Sequence, residues 1–167
     1  MRNLFMVSLM TILLLMGCSS NPVPTEDQVL EIISAYNKAK YELNDKDLSI
    51  QDKQELYPVI NDRAKPYLTE DNYKTFTANR EGWVTVEEAK LNQIVKVKDI
   101  TIDKIVETDD KKAINVDYKL TISISAKEDT TQTKDHSFAA QVTITKENDS
   151  LKISRHWESL NAGDLGL

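Results

Sequence analysis

Ile114-Asn115-Val116-Asp117-Tyr118-Lys119-Leu120-Thr121-Ile122-Ser123-Ile124-Ser125 decides the fold. Apolar and polar residues alternate without a break. A β-strand sends successive side chains to opposite faces, so this period of two describes a strand with one packed face and one wet face. Downstream the alternation returns in Phe138, Ala140, Val142 and Ile144, interleaved with Gln141, Thr143 and Thr145. It returns again in Leu151, Ile153 and Trp157. Upstream, Val95 and Val97 share one parity while Ile100 and Ile102 share the other, so Asp99 marks a bulge in a strand starting near Ile94. Polar connections are expected at 108–112, 128–134 and 147–150. Four such strands make a curved antiparallel meander whose apolar face needs a cover.

The cover lies before the strands, where the period is 3.6. Thr25-Glu26-Asp27-Gln28 has the form of a capping box, and Val29, Ile32, Ile33, Tyr36 and then Lys40 or Leu43 form one stripe. That pattern predicts a helix over about 26–43, ended by Asn44-Asp45-Lys46-Asp47. A second helix is predicted over 50–64 in one or two pieces, with Leu56, Val59, Ile60 and Ala64 facing inward. Pro58 predicts a break near Tyr57, and Pro66 stops the helix. Thr69-Glu70-Asp71-Asn72 opens a third piece carrying Tyr73 and Phe76, which ends by Asn79. Arg80 to Trp83 turns the chain, and 84–93 reads as a short strand running into one helical turn. The expected class is α+β, with N-terminal helices packed on a curved antiparallel sheet.

The beginning of the chain has a different character. Arg2 precedes an apolar run in which Leu4 to Gly17 covers 14 residues. A helix crossing a ~30 Å hydrocarbon layer needs roughly 20 residues, so the run fits an export signal better than an anchor. Leu15-Met16-Gly17-Cys18 resembles the lipobox of bacterial lipoproteins, with Met16 untypical two places before the cysteine. The resemblance implies cleavage before Cys18 and acylation of its thiol. Several acyl chains hold a soluble domain at a bilayer where one chain binds marginally. The expected organisation is a signal peptide over 1–17, a lipidated tether over 18–24, one domain over 25–160 and a loose tail over 161–167. The expected location is the extracytoplasmic face of the cell membrane.

Composition excludes several classes of function. Cys18 is the single cysteine, so no disulfide, iron-sulfur cluster or thiolate nucleophile is expected in the mature domain. Its 150 residues suffice for one sizeable core. Formal net charge is -6, and -7 once Arg2 leaves with the signal, which disfavours nucleic acid as a partner. Glycine occurs only at 17, 82, 163 and 166, too sparsely for a phosphate cradle. His136 and His156 lack the spacing of a zinc pair, and no cofactor or metal is expected. Adjacent acids such as Asp109 and Asp110 fall in turns rather than across a cleft.

The order of helices, polar crossover and long antiparallel strands resembles the nuclear-transport-factor-2-like (NTF2-like) cone fold, with a loose likeness in KPYLTEDNYKTF, residues 65–76. A cystatin-like arrangement is the alternative. The resemblance implies either a binding or scaffolding domain, as in conjugation and secretion machinery, or a pocket between helices and sheet. On strand parity, Arg155, Trp157, Tyr118 and His136 are the candidates for such a pocket, and His156 falls on the opposite side from Trp157. No convergent catalytic set accompanies them. The expected role is therefore a non-enzymatic, membrane-anchored module that binds another envelope protein, through a sheet edge or the polar strand faces. A small-molecule-binding or enzymatic cone is the alternative.

Overall fold

The computed structural model describes residues 23–160, so Cys18 and the 161–167 tail lie outside the described residues. Five α-helices precede four strands: α1 Glu26–Tyr41, α2 Asp45–Leu48, α3 Leu56–Ala64, α4 Glu70–Ala78 and α5 Trp83–Lys90, then β1 Gln93–Glu107, β2 Ala113–Ala126, β3 Asp129–Glu147 and β4 Ser150–Glu158. The strands form one antiparallel sheet in the order β1-β2-β3-β4. The class is α+β with an NTF2-like architecture, and the helices cover the inner face of the curved sheet.

Local chemistry explains the helix starts. Thr25 accepts a hydrogen bond from the Gln28 backbone while the Gln28 side chain answers the Thr25 backbone, and Thr69 caps α4 through Asn72. Both satisfy amides that a first turn leaves without partners. Residues 53–64 form two pieces, a 3-10 turn over Lys53–Glu55 and then α3, so the expected break falls one residue before Tyr57, and Pro58 does not interrupt α3 itself. It is the third residue of α3, where the missing N–H would have had no intrahelical acceptor. The 44–47 stretch is more than a terminator, because Asn44 and Asp47 form a second capping box and fold the one-turn α2.

Three expectations are corrected. The 83–90 stretch is helical throughout, with Val86 and Ala89 buried and the Thr85 hydroxyl donating to the Lys40 carbonyl at 2.8 Å. Tertiary contacts override the strand preference of Val84-Thr85-Val86. The expected 128–134 connection belongs mostly to β3, which turns back from β2 after only Lys127 and Glu128. Finally, the pairing of β3 with β4 jumps from Thr143 with Arg155 to Ile144 with Ile153, which leaves Ser154 as an extra residue. Beyond that bulge the inner and outer parities of β4 exchange.

The core runs between α1 and the inner faces of the strands. Tyr36, Tyr41, Tyr118, Phe76, Leu120, Ile122 and Ile153 are among its largest buried side chains. In β1 the register shifts between Val97 and Asp99, the bulge expected at Asp99, and shifts again between Ile102 and Lys104.

Candidate functional site

Inside the cone the helices and strands converge on a polar cluster. Lys40 lies one turn beyond Tyr36 on the inward stripe of α1 and is wholly buried. Its ammonium donates to Glu158 Oε1 at 2.6 Å, and the Tyr41 hydroxyl donates to the same oxygen at 2.6 Å. The Ser154 bulge turns His156 and Glu158 inward to meet them. His156 Nδ1 is 2.9 Å from Glu81 Oε2, and its Nε2 is 3.2 Å from Glu158 Oε2, an ion-pair contact poorly aligned for a hydrogen bond. Each ring nitrogen thus faces a carboxylate. The ring stands edge-on to Tyr36 at 5.2 Å.

These neighbours set the ionisation of the cluster. Burial alone would raise the Glu158 carboxyl, but the Lys40 ammonium and the His156 ring outweigh it and hold the group well below the usual carboxylate range. Glu81 is lowered as well, its burial being outweighed by the His156 hydrogen bond and the Lys40 charge. Burial, reinforced by the Glu158 charge, pushes the Tyr36 and Tyr41 hydroxyls up. Tyr118 is raised by burial too, and its oxygen accepts from Asn37 Nδ2 at 3.1 Å. The acids and bases of this cluster bind one another and join α1, the turn before α5, and β4.

A second buried acid behaves differently. Glu88 of α5 is 1% exposed, and neither carboxylate oxygen has a hydrogen-bond partner among the described residues. Burial, with the Glu87 charge added, raises it to about 7 against a weaker opposing pull from Lys134. Among the described residues no group of three or more His, Cys, Asp or Glu is placed to hold a metal ion.

The four pocket candidates are divided. Tyr118 lies in the core, and His136 is half-buried on the inner parity of β3 opposite Ile122. Because of the Ser154 bulge, Arg155 and Trp157 face outward, contrary to their expected parity, and Trp157 is 48% exposed. Arg155 lines a groove of about 240 Å³ on the outer face with Asn115, Asp117, Gln141 and Thr143. Its guanidinium has no hydrogen bond or ion pair among the described residues. A groove of about 370 Å³ lies at the end of the sheet where Val23 and Pro24 enter, beside Ile114, Ile144, Lys146 and Leu151. Sequence reasoning missed Lys40, Glu81, His156, Glu158 and Glu88 as buried acids and bases. The available signal was a lysine on an otherwise apolar helical stripe.

The layered cone with helices on one face of a four-stranded meander defines the structural class as NTF2-like. No protein-family model matches the chain, and no curated protein sequence is similar to it. Solved structures are. The periplasmic domain of DotI superposes with a TM-score of 0.58 at 10% identity, covering 84% of this chain and 99% of that one. A periplasmic fragment of TraM gives 0.53 at 12% identity, covering 81% and 98%. An IcmL-like type IV secretion system protein from Legionella pneumophila gives 0.52 at 11% identity, covering 83% and 94%. Identities this low show a shared fold.

Proposed function

We propose that this chain is a non-catalytic, lipid-anchored protein-binding module on the extracytoplasmic face of the cell membrane, working within a transfer or secretion assembly. The observation that carries the reading is the state of the cone: it is filled by Tyr36, Lys40, Tyr41, Tyr118 and their neighbours, and Lys40, Glu81, His156 and Glu158 are bound to one another. The recognition chemistry left to the domain is on its outside. The lipobox resemblance at residues 15–18 supports anchoring through Cys18, and a six-residue tether fully extended reaches only roughly 20 Å, so the body stays near the bilayer. The DotI, TraM and IcmL-like structures are periplasmic or secretion-system proteins by name, which supports the setting.

Metabolic labelling with an acyl-chain analogue tests the anchor. Wild-type chain is expected to label and to fractionate with membranes, and Cys18→Ala to do neither; undiminished membrane retention of the variant overturns the anchor. Cross-linking in intact membranes tests the role. A discrete adduct with another envelope protein is expected, and its absence counts against a binding module.

A further inference from the structure

The outer face of the sheet differs in charge from the rest of the molecule. Outside the described residues lie one cation, Arg2, and one acid, Asp164, so the described body carries the same formal charge as the whole chain, -6. The register of the strands places Lys96, Lys104, Lys119, Lys152 and Arg155 on the outer face, and Lys98 reaches it to pair with Asp135 at 2.5 Å. Against these six cations the same face carries four acids, Asp99, Asp117, Asp135 and Glu147. The face is therefore net +2, which leaves -8 for the remainder.

Two residues make one part of this face more than a solvated surface. Arg155 and Trp157 stand two apart on β4, both exposed, both turned outward by the Ser154 bulge. Arginine and tryptophan dominate binding energy at interfaces because each combines a large contact area with directional hydrogen bonding. The unpaired Arg155 fork overlooks the 240 Å³ groove, whose floor is the Thr143–Asn115 hydrogen bond of 2.8 Å and whose wall is Gln141. An unoccupied guanidinium beside amide and hydroxyl groups matches a side-chain carboxylate held in a bidentate pair.

We infer that the outer patch of Arg155, Trp157 and Gln141 docks an acidic segment of a partner protein, with a partner carboxylate on Arg155 and an apolar side chain against Trp157. The inference rests on the protein-binding reading above and names the surface and the chemistry of the partner. Asp117 at the far side of the groove opposes a uniformly anionic ligand and suits a protein segment, which brings backbone N–H donors along with its acids.

The test uses the full chain in its native membrane, with a photo-cross-linking residue at Gln141 on the outer face or at exposed Asp62 on α3. A protein adduct is expected from position 141 and none from position 62. It should fall several-fold in Arg155→Glu and in Trp157→Ala, persist in Arg155→Lys, and weaken as salt rises. All three substitutions are at exposed positions, and unchanged thermal unfolding verifies the fold. In parallel, the purified full chain carrying Trp83→Phe leaves Trp157 as its single indole. Its emission should shift with poly-glutamate and not with poly-lysine, and the shift should disappear in Arg155→Glu. An adduct from 62 but not 141 overturns this inference and leaves the binding module standing; no adduct from either position overturns both. A position-141 adduct that survives Arg155→Glu also overturns the inference. So does an emission shift with phosphatidylglycerol vesicles in place of poly-glutamate, which would assign the patch to lipid.

Discussion

Lys40 ties α1 to the far end of the chain, since its ammonium and the Tyr41 hydroxyl both end on Glu158. Lys40→Met leaves that carboxylate buried without its main counter-charge, and an uncompensated buried charge costs about 3–5 kcal/mol. Urea denaturation should show the loss, and the double variant Lys40→Met/Glu158→Leu should recover most of it. The pH dependence has two opposed parts. Glu158 and Glu81 are lowered in the folded state, so their stabilisation is present above the ordinary range near 4.5 and is lost as pH falls below it. Glu88 is raised to about 7, so the folded chain holds that proton more tightly than the unfolded chain does, and stability declines as pH rises from about 4.5 to 7. Glu88→Gln should remove this decline, stabilising by up to about 3 kcal/mol at pH 8 and by almost nothing at pH 4, as read from denaturation midpoints. None of these three acids was legible in the sequence as a buried group. Burial of a glutamate depends on which helix face meets the sheet, and the pattern VTVEEAK pointed to a strand before a helix.

Two helix starts were legible because a side chain closes a local ring there. They are at Thr25 and Thr69, where the cap is written in residues three apart. The first half of β3 was hidden for the opposite reason: residues 129–135 are exposed on both faces, so the period of two has nothing to report. Ser154 was hidden because one inserted residue in a nine-residue strand leaves no pattern beyond it long enough to betray the exchange of faces. Deleting Ser154 should close the bulge with Arg155 still opposite Thr143 and His156 still opposite Val142, so no faces exchange and circular dichroism should show cooperative unfolding retained. The turn between β3 and β4 predicts a gain instead. Asn148 and Asp149 both have positive φ, 48° and 63°, as a two-residue hairpin turn demands. Asp149→Gly should raise stability by about 0.5–1 kcal/mol in thermal unfolding, since its exposed contact with Lys146 contributes little.

At the scale of the molecule the layer arrangement followed from the order of periods, helical first and alternating afterwards, because a one-sided sheet has to be covered by what precedes it. The contents of the cone did not follow, since they depend on how distant residues such as Lys40 and Glu158 meet. Protection from hydrogen exchange should be greatest in β2 and the second half of β3, which have a strand on either side, and least in residues 129–135, where β4 has not yet begun to pair. The unequal sharing of charge between the two sides of the sheet has a kinetic consequence as well. A body that is positive on one side and negative on the other is an electric dipole, so an oncoming polyanion exerts a torque on it before the two surfaces touch. Collisions in the useful orientation become more frequent at low ionic strength, and the capture rate, more than the lifetime of the complex, should respond to salt.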